Sequence, residues 1–569
     1  MNSKIIKKYL LQALFYSIVI FVFILPILKL VEMSFKTEDG FGVENYVSLL
    51  KEARTINAIK NTIIIAVCST VFAILMGCFF SFLIAYTDVK RKKIIEILVL
   101  APYVIPSYII TLSWSSLLSK KGIVNQMILG IGLESIDIYT MTGIIFVLGI
   151  CNTPIIYLIT VNMLRKIPRD LEWASLVSGY SIWETMRKIN LVQAMPAIIS
   201  GGMLSFLAAI DNFSVPAFLG ISSGIPVLST YIYEKAISFG PGSFGLAAAL
   251  SVMLSVIAII GTTLQGKFIK KSSNMESIKE DCSVRIELGK KRKYVEWISI
   301  AFLVCINIIP LITMITSSFL PNFGKFALNR ISFESYKFVF TNSGVKHAII
   351  NSFTLAGITC VICIIIGTVI AYIKVRKNAK SVKILEAGAS LTYAIPGIVL
   401  ALAMIFHWTA IPNVYGTIKI LLIAYVTRYL ILQIKGSTTA VIAVEPSLEE
   451  AAMVSGSSKI RIWWKIMIPL LTKQVLSSTF LIFISSLTEL TLSSMLAAAG
   501  TKTIGLTIFS LQQAGNNNLS AAMSSLIVGM VVILFVISTY FKKSHHTKKQ
   551  RLLEQKNLII GNLIYDHNN

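Results

Sequence analysis

The chain has 569 residues, of which 55% are hydrophobic and only 14% charged, with a mean hydropathy of +0.76. Soluble domains carry about 25% charged residues, and no globular surface hides this much apolar area, so a soluble enzyme, a nucleic-acid module and a disordered chain are excluded. The formal net charge of +25, from 52 Lys+Arg against 27 Asp+Glu, would suit a polyanion partner only if the charges clustered.

Taken in chain order, twelve mostly apolar stretches of about 20 residues predict membrane-spanning helices. They lie near 9–31, 61–87, 94–118, 141–163, 197–219, 245–265, 295–317, 349–373, 384–407, 417–434, 475–497 and 521–541. The first follows Lys4, Lys7 and Lys8. Its apolar run is too long for a secretory leader and no small-residue cleavage site follows, so it reads as a retained helix. Segments 1–8, 88–96, 164–195, 266–294, 373–384, 434–474 and 541–569 hold 37 of the 52 basic residues. Loops on the cytoplasmic side carry the Lys/Arg excess, so both termini and segment 266–294 are expected there. Charges spread over seven loops without interleaved aromatics exclude a nucleic-acid surface. Six cysteines (Cys68, Cys78, Cys151, Cys305, Cys360, Cys363) fall in spans and Cys282 in the 266–294 segment, so no external disulfide framework is expected. Cys360 and Cys363, one turn apart in an apolar helix, read as small-residue packing rather than redox or metal chemistry.

The chain repeats itself. A shift of 290 places Ala58, Asn61, Ala66, Gly77, Glu96, Tyr103, Ile105 and Pro106 on Ala348, Asn351, Ala356, Gly367, Glu386, Tyr393, Ile395 and Pro396 without a gap. After an external loop 13 residues shorter, the shift becomes 277, and Leu171, Glu172, Ala174, Val177, Ser178 and Gly179 match Leu448, Glu449, Ala451, Val454, Ser455 and Gly456. The expected architecture is therefore an all-α polytopic membrane protein of about 12 transmembrane helices, built as a tandem repeat of two six-helix units. The first unit is 1–265 and the second 295–541, with 266–294 as cytoplasmic linker and 542–569 as basic cytoplasmic tail. Both units share one topology, so a pseudo-two-fold axis along the membrane normal is expected. The charges and Ser/Asn content of the linker suit a flexible spacer without a function of its own.

The long loops after the fourth span of each unit, 164–195 and 434–474, carry the most information. In the second, Glu449, Glu450, Ala451, Ala452, Met453 and Val454 favour helix, Ser455-Gly456-Ser457 breaks it, and Lys459 to Ile468 resumes an amphipathic pattern. A short helix across one face of the membrane, with acidic, small and basic residues, suits docking into a groove of another protein. Glu450-Ala451-Ala452, followed by Gly456, Ile466, Ile468 and Pro469, resembles the EAA loop, E-A-A-x3-G-x9-I-x-L-P, of the permease subunits of binding-protein-dependent ABC importers. The fused form resembles permeases of the ferric-iron, 2-aminoethylphosphonate, thiamine and polyamine group. Ile468 departs from the Leu of the pattern. The first loop is degenerate: Trp173, Ala174 and Ser175 stand at E-A-A, Gly179, Ile189 and Leu191 are kept, and Val192 replaces the Pro. Glu172, one residue earlier and equivalent to Glu449, is the acid available there.

The resemblance implies that each loop forms a coupling helix seated on one of two copies of a cytoplasmic ABC ATPase. A binding protein on the other side delivers the solute, and Glu450, Gly456, Glu172 and Gly179 transmit force for alternating access. It also implies that this chain carries no cofactor, with ATP and Mg on the partner, and that ferric iron is the leading substrate.

Little else suggests chemistry. Gly261 to Phe268 nearly completes a Walker A, but Phe268 lacks the hydroxyl that Mg²⁺ needs and no strand precedes it. The five histidines are scattered, no metal cluster is expected, and no catalytic residue is assigned. Ionisable residues inside spans are functional candidates. Asp211 and Glu489, equivalent at a shift of 278, either line or gate a pathway or serve as helix caps and interhelical contacts. Arg428 either neutralises one of them or reaches the headgroups. Pro106 and Pro396, each in Tyr-x-Ile-Pro with Tyr103 and Tyr393, are expected to bend helices along the pathway. An ion-gradient-driven transporter is the rival class; it calls for several paired intramembrane carboxylates, and only these two qualify.

Overall fold

The computed structural model describes residues 12, 14–37, 40–119, 122–238, 240, 242–272, 281–320 and 331–534. The basic segment 1–8 and the tail 542–569 expected above lie outside the described residues. The first unit contains α1 (Leu14–Ser34), α2 (Ala53–Tyr86), α3 (Lys92–Val104), α4 (Ser107–Leu117), α5 (Met141–Leu164), α6 (Arg169–Val177), α7 (Ile182–Asp211), α8 (Ser214–Leu219), α9 (Leu228–Ile237) and α10 (Ser243–Ser272). The second repeats the order with α11 (Gly289–Ser317), α12 (Ser343–Lys377), α13 (Lys380–Ala394), α14 (Gly397–Trp408), α15 (Ile418–Ile442), α16 (Pro446–Val454), α17 (Lys459–Leu487), α18 (Thr491–Leu496), α19 (Ile504–Gln513) and α20 (Asn517–Leu534). Among the described residues the only strands are a two-residue pair, Lys36–Thr37 with Gly40–Phe41.

Nine of these helices are long and apolar enough to cross a membrane, and the pairs α3/α4 and α13/α14 are long and apolar enough only when taken together, each pair sharply bent at its break. The twelfth expected span is α15, which carries Lys419, Arg428 and Lys435 and stands where α5 stands in the first unit. The chain is thus an all-α, multi-pass membrane protein.

Three expectations change in detail. The third and ninth spans are not bent helices but helix pairs meeting at 105° and 115°. Ile105 and Ile395, each preceding a proline, are extended, because the proline ring disfavours helical backbone in the residue before it. The fifth and eleventh spans begin earlier than expected, continuous with the loops that precede them, and end at Asp211 and Leu487; α8 and α18 are separate short helices. The linker is not a free spacer: Arg285 and Ile286 donate backbone N–H groups to Tyr86 O, and the Leu288 N–H donates to Asp88 at 3.0 Å. Segment 281–294 is therefore docked on the first unit.

Prolines also shape helix interiors. Five-residue π turns at Ile20–Ile24, Val304–Ile308 and Trp463–Met467 each end two residues before a proline, Pro26, Pro310 and Pro469. A proline leaves a carbonyl one turn earlier without its N–H, and the wider turn accommodates the fault. The fourth π turn, Met186–Asn190, persists although Val192 stands at the proline position.

Within each unit α2 packs on α5 and α7, and its equivalent α12 packs on α15 and α17. Gly77 and Gly367, equivalent at 290, permit this approach: a Cβ at Gly77 would lie 2.6 Å from Ile156 Cβ, and one at Gly367 would lie 2.8 Å from Gln433 Cγ. The units exchange their first helices. α1 packs on α13 and α14, and α11 packs on α3 and α4. That exchange is reciprocal, as a two-fold relation requires, and one apolar core runs through both units. Cys360 and Cys363 are buried in α12, where the Cys360 Sγ lies 3.7 Å from Thr479 O of α17, so they pack.

Candidate functional site

Two places gather the candidate residues: the loops around α6 and α16, and a cavity between the units.

The two loops have one construction. α6 and α16 each end in a glycine with positive φ, Gly179 at +88° and Gly456 at +78°. The Gly179 N–H donates to Leu176 O and the Tyr180 N–H to Ser175 O; the Gly456 N–H donates to Met453 O and the Ser457 N–H to Ala452 O, at 3.0 to 3.2 Å. This double-bonded helix end needs a left-handed residue, which is the physical reason for glycine in the motif. Immediately before it, Val177 and Val454 are 89% and 90% exposed, so each loop presents an apolar tip beside the turn.

The acidic residues divide into two kinds. Glu450 is exposed, as is Trp173 in the equivalent position, and Ala174 and Ala451 are exposed beside them, with Ala452 partly so. Glu449 and Glu172 are buried. The Arg376 Nε donates to Glu449 at 2.6 Å and the Tyr372 hydroxyl at 2.7 Å, while a second Arg376 nitrogen reaches Val444 O at 2.7 Å. Glu172 accepts from Arg285 of the linker and from Asn190. Glu172 therefore anchors its own helix rather than facing outward; Glu450 is the outward acid of the pair Glu449-Glu450. Ile466 packs partly buried beneath the second loop, and Pro469 follows the π turn. The Gly261–Phe268 segment lies inside α10, so its backbone is helical and forms no phosphate loop.

Asp88 binds the linker to the first unit, and Asp281 braces the linker from within. The Leu288 N–H, followed by the Arg292 guanidinium, keeps the Asp88 carboxyl below its ordinary value. Asp281 is lowered likewise, first by the Ser283 backbone N–H and then by the Ser283 hydroxyl, Arg285 and Arg169.

The cavity, of about 290 Å³, lies between the units and is lined by Pro106, Asp211, Tyr393, Arg428, Tyr429 and Glu489 among others. Asp211 ends α7 and crosses to the other unit. The Arg428 Nη2 donates to its Oδ2 at 2.7 Å and the Gly397 N–H to its Oδ1 at 2.6 Å. Gly397 opens α14 just after Pro396, so the carboxylate sits on a helix N-terminus, where unpaired N–H groups favour an anion. Arg428 also donates to Ile395 O at 3.3 Å, which ties the pair to the break in the ninth span. Glu489 does different work: its Oε1 accepts the Leu492 N–H of α18 at 3.0 Å, and its other oxygen accepts from the Tyr429 hydroxyl. Of the two readings left open by the sequence, Asp211 is an interhelical ion pair across the units and Glu489 is a helix cap, while both line the cavity. Arg428 neutralises Asp211. Tyr103 is half exposed and is not among the lining residues. The lining Tyr429 was not anticipated, because its significance depends on Glu489, 60 residues away.

Arg428 is the eleventh residue of α15, about 15 Å along the helix from one end and about 21 Å from the end that leads into α16. The cavity thus lies beside the interior of α15, away from both of its ends. No group of three or more His, Cys, Asp or Glu suited to a metal ion occurs among the described residues.

Two related helical units, a polar cavity where they meet, and a matched pair of glycine-ended helices leading out from their cores define a transport permease. The chain belongs to the binding-protein-dependent transport system inner membrane component family, whose pattern matches twice, at residues 69–273 and 363–550. It is a permease of the ABC importer type, and this sets aside an ion-gradient-driven transporter. The chain is 25% identical over 525 residues to the ferric transport system permease protein FbpB of Actinobacillus pleuropneumoniae, covering 89% of this chain and 74% of that one. It is 22% identical to the Fe(3+)-transport system permease protein FbpB 2 of Haemophilus influenzae, covering 82% and 86%. A relative with another cargo, the maltodextrin transport system permease protein MalC of Streptococcus pneumoniae serotype 4, is 25% identical over 255 residues, 39% of this chain and 58% of that one.

Proposed function

We propose that the chain is the membrane permease of an ATP-driven importer for ferric iron, with α6 and α16 each seated on one of two cytoplasmic ATPase subunits. The matched exposed tips at Val177 and Val454, each beside a glycine-ended turn, carry the coupling part of this reading. Both termini and the 266–294 segment face the ATPases, in keeping with the basic residues of those segments. A binding protein on the opposite side delivers the solute. Closure of the ATPase pair moves the two units as rigid bodies, and the Asp211–Arg428 contact, which joins them, opens and re-forms in each cycle.

Ferric iron is favoured by the similarity to ferric transport permeases over most of the chain. The carboxylates and tyrosines around the cavity suit a hard cation, which prefers oxygen ligands. The same machinery for 2-aminoethylphosphonate, thiamine or a polyamine is the alternative; of these, an anionic phosphonate is the one that Arg428 could meet once released from Asp211. ATP-dependent uptake of radiolabelled ferric iron by proteoliposomes holding this chain with its ATPase and binding protein tests the assignment. Iron accumulation that unlabelled phosphonate does not compete supports it, and transport of a competing solute with no iron uptake overturns it.

A further inference from the structure

The two coupling-type helices are anchored by the same pair of bonds, but the arginine that makes them comes from different parts of the chain. In the second unit Arg376, at the end of α12, binds buried Glu449 and reaches Val444 O. In the first unit the residue equivalent to Arg376 is Tyr86, which offers no positive charge. Its place is taken by Arg285, which binds buried Glu172 and reaches Ile167 O at 2.8 Å. Glu172 and Ile167 are the residues equivalent to Glu449 and Val444 at the shift of 277, so both bonds are reproduced. The Arg285 guanidinium lies over the Tyr86 ring, 4.4 Å from its centre.

The approach of Arg285 is built in. The Asp281 N–H donates to Arg165 O at 2.7 Å, and the Arg285 and Ile286 N–H groups both donate to Tyr86 O at 2.9 Å. The Leu288 N–H and Arg292 bind Asp88, and Arg169 of α6 itself donates to the Ser283 hydroxyl at 3.0 Å. The Arg285 side chain is 4% exposed and that of Glu172 10%. Removing one partner from such a buried pair leaves a charge uncompensated, which loosens the structure around it.

We propose that segment 281–294 is a positioning strap for the first coupling-type helix, with Arg285 supplying from the linker the anchor that Arg376 supplies from within the second unit. α11 follows directly, so the strap that holds α6 through the Arg285 and Ser283 contacts continues as covalent chain into the second unit's first helix. Because α11 itself packs on α3 and α4, the strap joins the first coupling-type helix to the exchanged helix that rides on the first unit. α16 has no counterpart to this link among the described residues. Only the consequence for transport rests on the coupling role proposed above; the anchoring itself does not.

The test is therefore made on the full chain alone, in detergent micelles, by hydrogen–deuterium exchange read at 169–180 and 446–457. Arg285→Ala is expected to raise exchange at 169–180 by roughly tenfold or more while leaving 446–457 unchanged, and Arg376→Ala to do the reverse. Arg285→Lys, which keeps the charge but not the forked geometry, falls between wild type and Arg285→Ala. Tyr86→Arg in the Arg285→Ala background returns protection to 169–180, a rescue that a merely structural loss would not give. Should Arg285→Ala not fold, Glu172→Gln is read in the same way. Unchanged exchange at 169–180 in Arg285→Ala or Glu172→Gln, or an equal rise in both loops, overturns the proposal.

Discussion

Arg428 of the second unit donates to Asp211 of the first at 2.7 Å, deep between the two units, and the same carboxylate accepts the Gly397 N–H. A contact of this kind joins the halves only in the conformation where they are close. Glu489, its equivalent by repeat, caps a helix of its own unit instead.

This difference predicts unequal effects of neutralising the two carboxylates. Asp211→Asn is expected to slow uptake by about tenfold or more and to destabilise the closed arrangement, because Arg428 is left buried without its counter-charge. Glu489→Gln keeps an oxygen for the Leu492 N–H and is expected to cost less than about threefold. Initial rates in proteoliposomes at matched protein content decide; unchanged rate and substrate preference in both variants would remove the pair from the pathway.

The turn after α16 requires φ near +78° at Gly456 and an unobstructed acid at Glu450. Gly456→Pro cannot adopt that angle and Glu450→Arg reverses the exposed charge, so each is expected to abolish transport while the protein still inserts. Quantifying membrane abundance alongside uptake separates loss of coupling from loss of protein. Wild-type uptake at equal abundance in either variant contradicts the role given to this loop.

Close approach of α2 and α5 depends on Gly77, where an added Cβ would lie 2.6 Å from Ile156 Cβ. Gly77→Ala is expected to destabilise the protein by about 1–3 kcal/mol through overpacking. Ile156→Ala in the same chain is expected not to recover that loss, since the clashing Cβ remains and the shortened buried side chain leaves a cavity. Thermal unfolding of the purified variants in one detergent measures both.

The linker contacts carry a pH dependence. Asp88 and Asp281 both have folded-state values below the ordinary 3.8, so Asp88 stabilises the docking of the strap, and Asp281 its internal turn, fully above that value, and each loses its contribution as pH falls through the lowered one. Around them stand Arg292 beside Asp88, and Arg285 and Arg169 beside Asp281. A spin label on the exposed Cys282, with the other cysteines replaced, is expected to keep its mobility constant from neutral pH to about 4 and to gain mobility below it. Asp88→Asn with Asp281→Asn is expected to remove the transition.

Much of this is legible in the sequence. Hydrophobic runs locate spans because the bilayer imposes a length, and Gly179, Gly456, Pro106 and Pro396 mark breaks because their backbones admit few alternatives. The extent of the breaks was not legible: a proline says that helix bonding is interrupted, while the turn of 105° or 115° is set by what the two pieces pack against. The docking of the linker is hidden in the sequence for a related reason. Its Ser, Asn and charges suit a spacer, but Arg285 finds Glu172 across 113 residues of chain, and nothing in the local composition reports that contact. Asp211 and Glu489 show the remaining limit, since equivalence in a repeat predicts equivalent position but not equivalent partners. Arg428 stands where the first unit has Cys151, so the repeat carries no image of the ion pair.

Cross-linking from the tips of α6 and α16 tests the central claim most directly. Val177→Cys and Val454→Cys, each carrying a short photoactivatable cross-linker in native membranes, are read by mass spectrometry of the purified adduct. The account predicts that both positions capture an ABC ATPase subunit and that added nucleotide changes the yield. A transport-competent protein that captures no ATPase from either position, and that purifies without one, would contradict it.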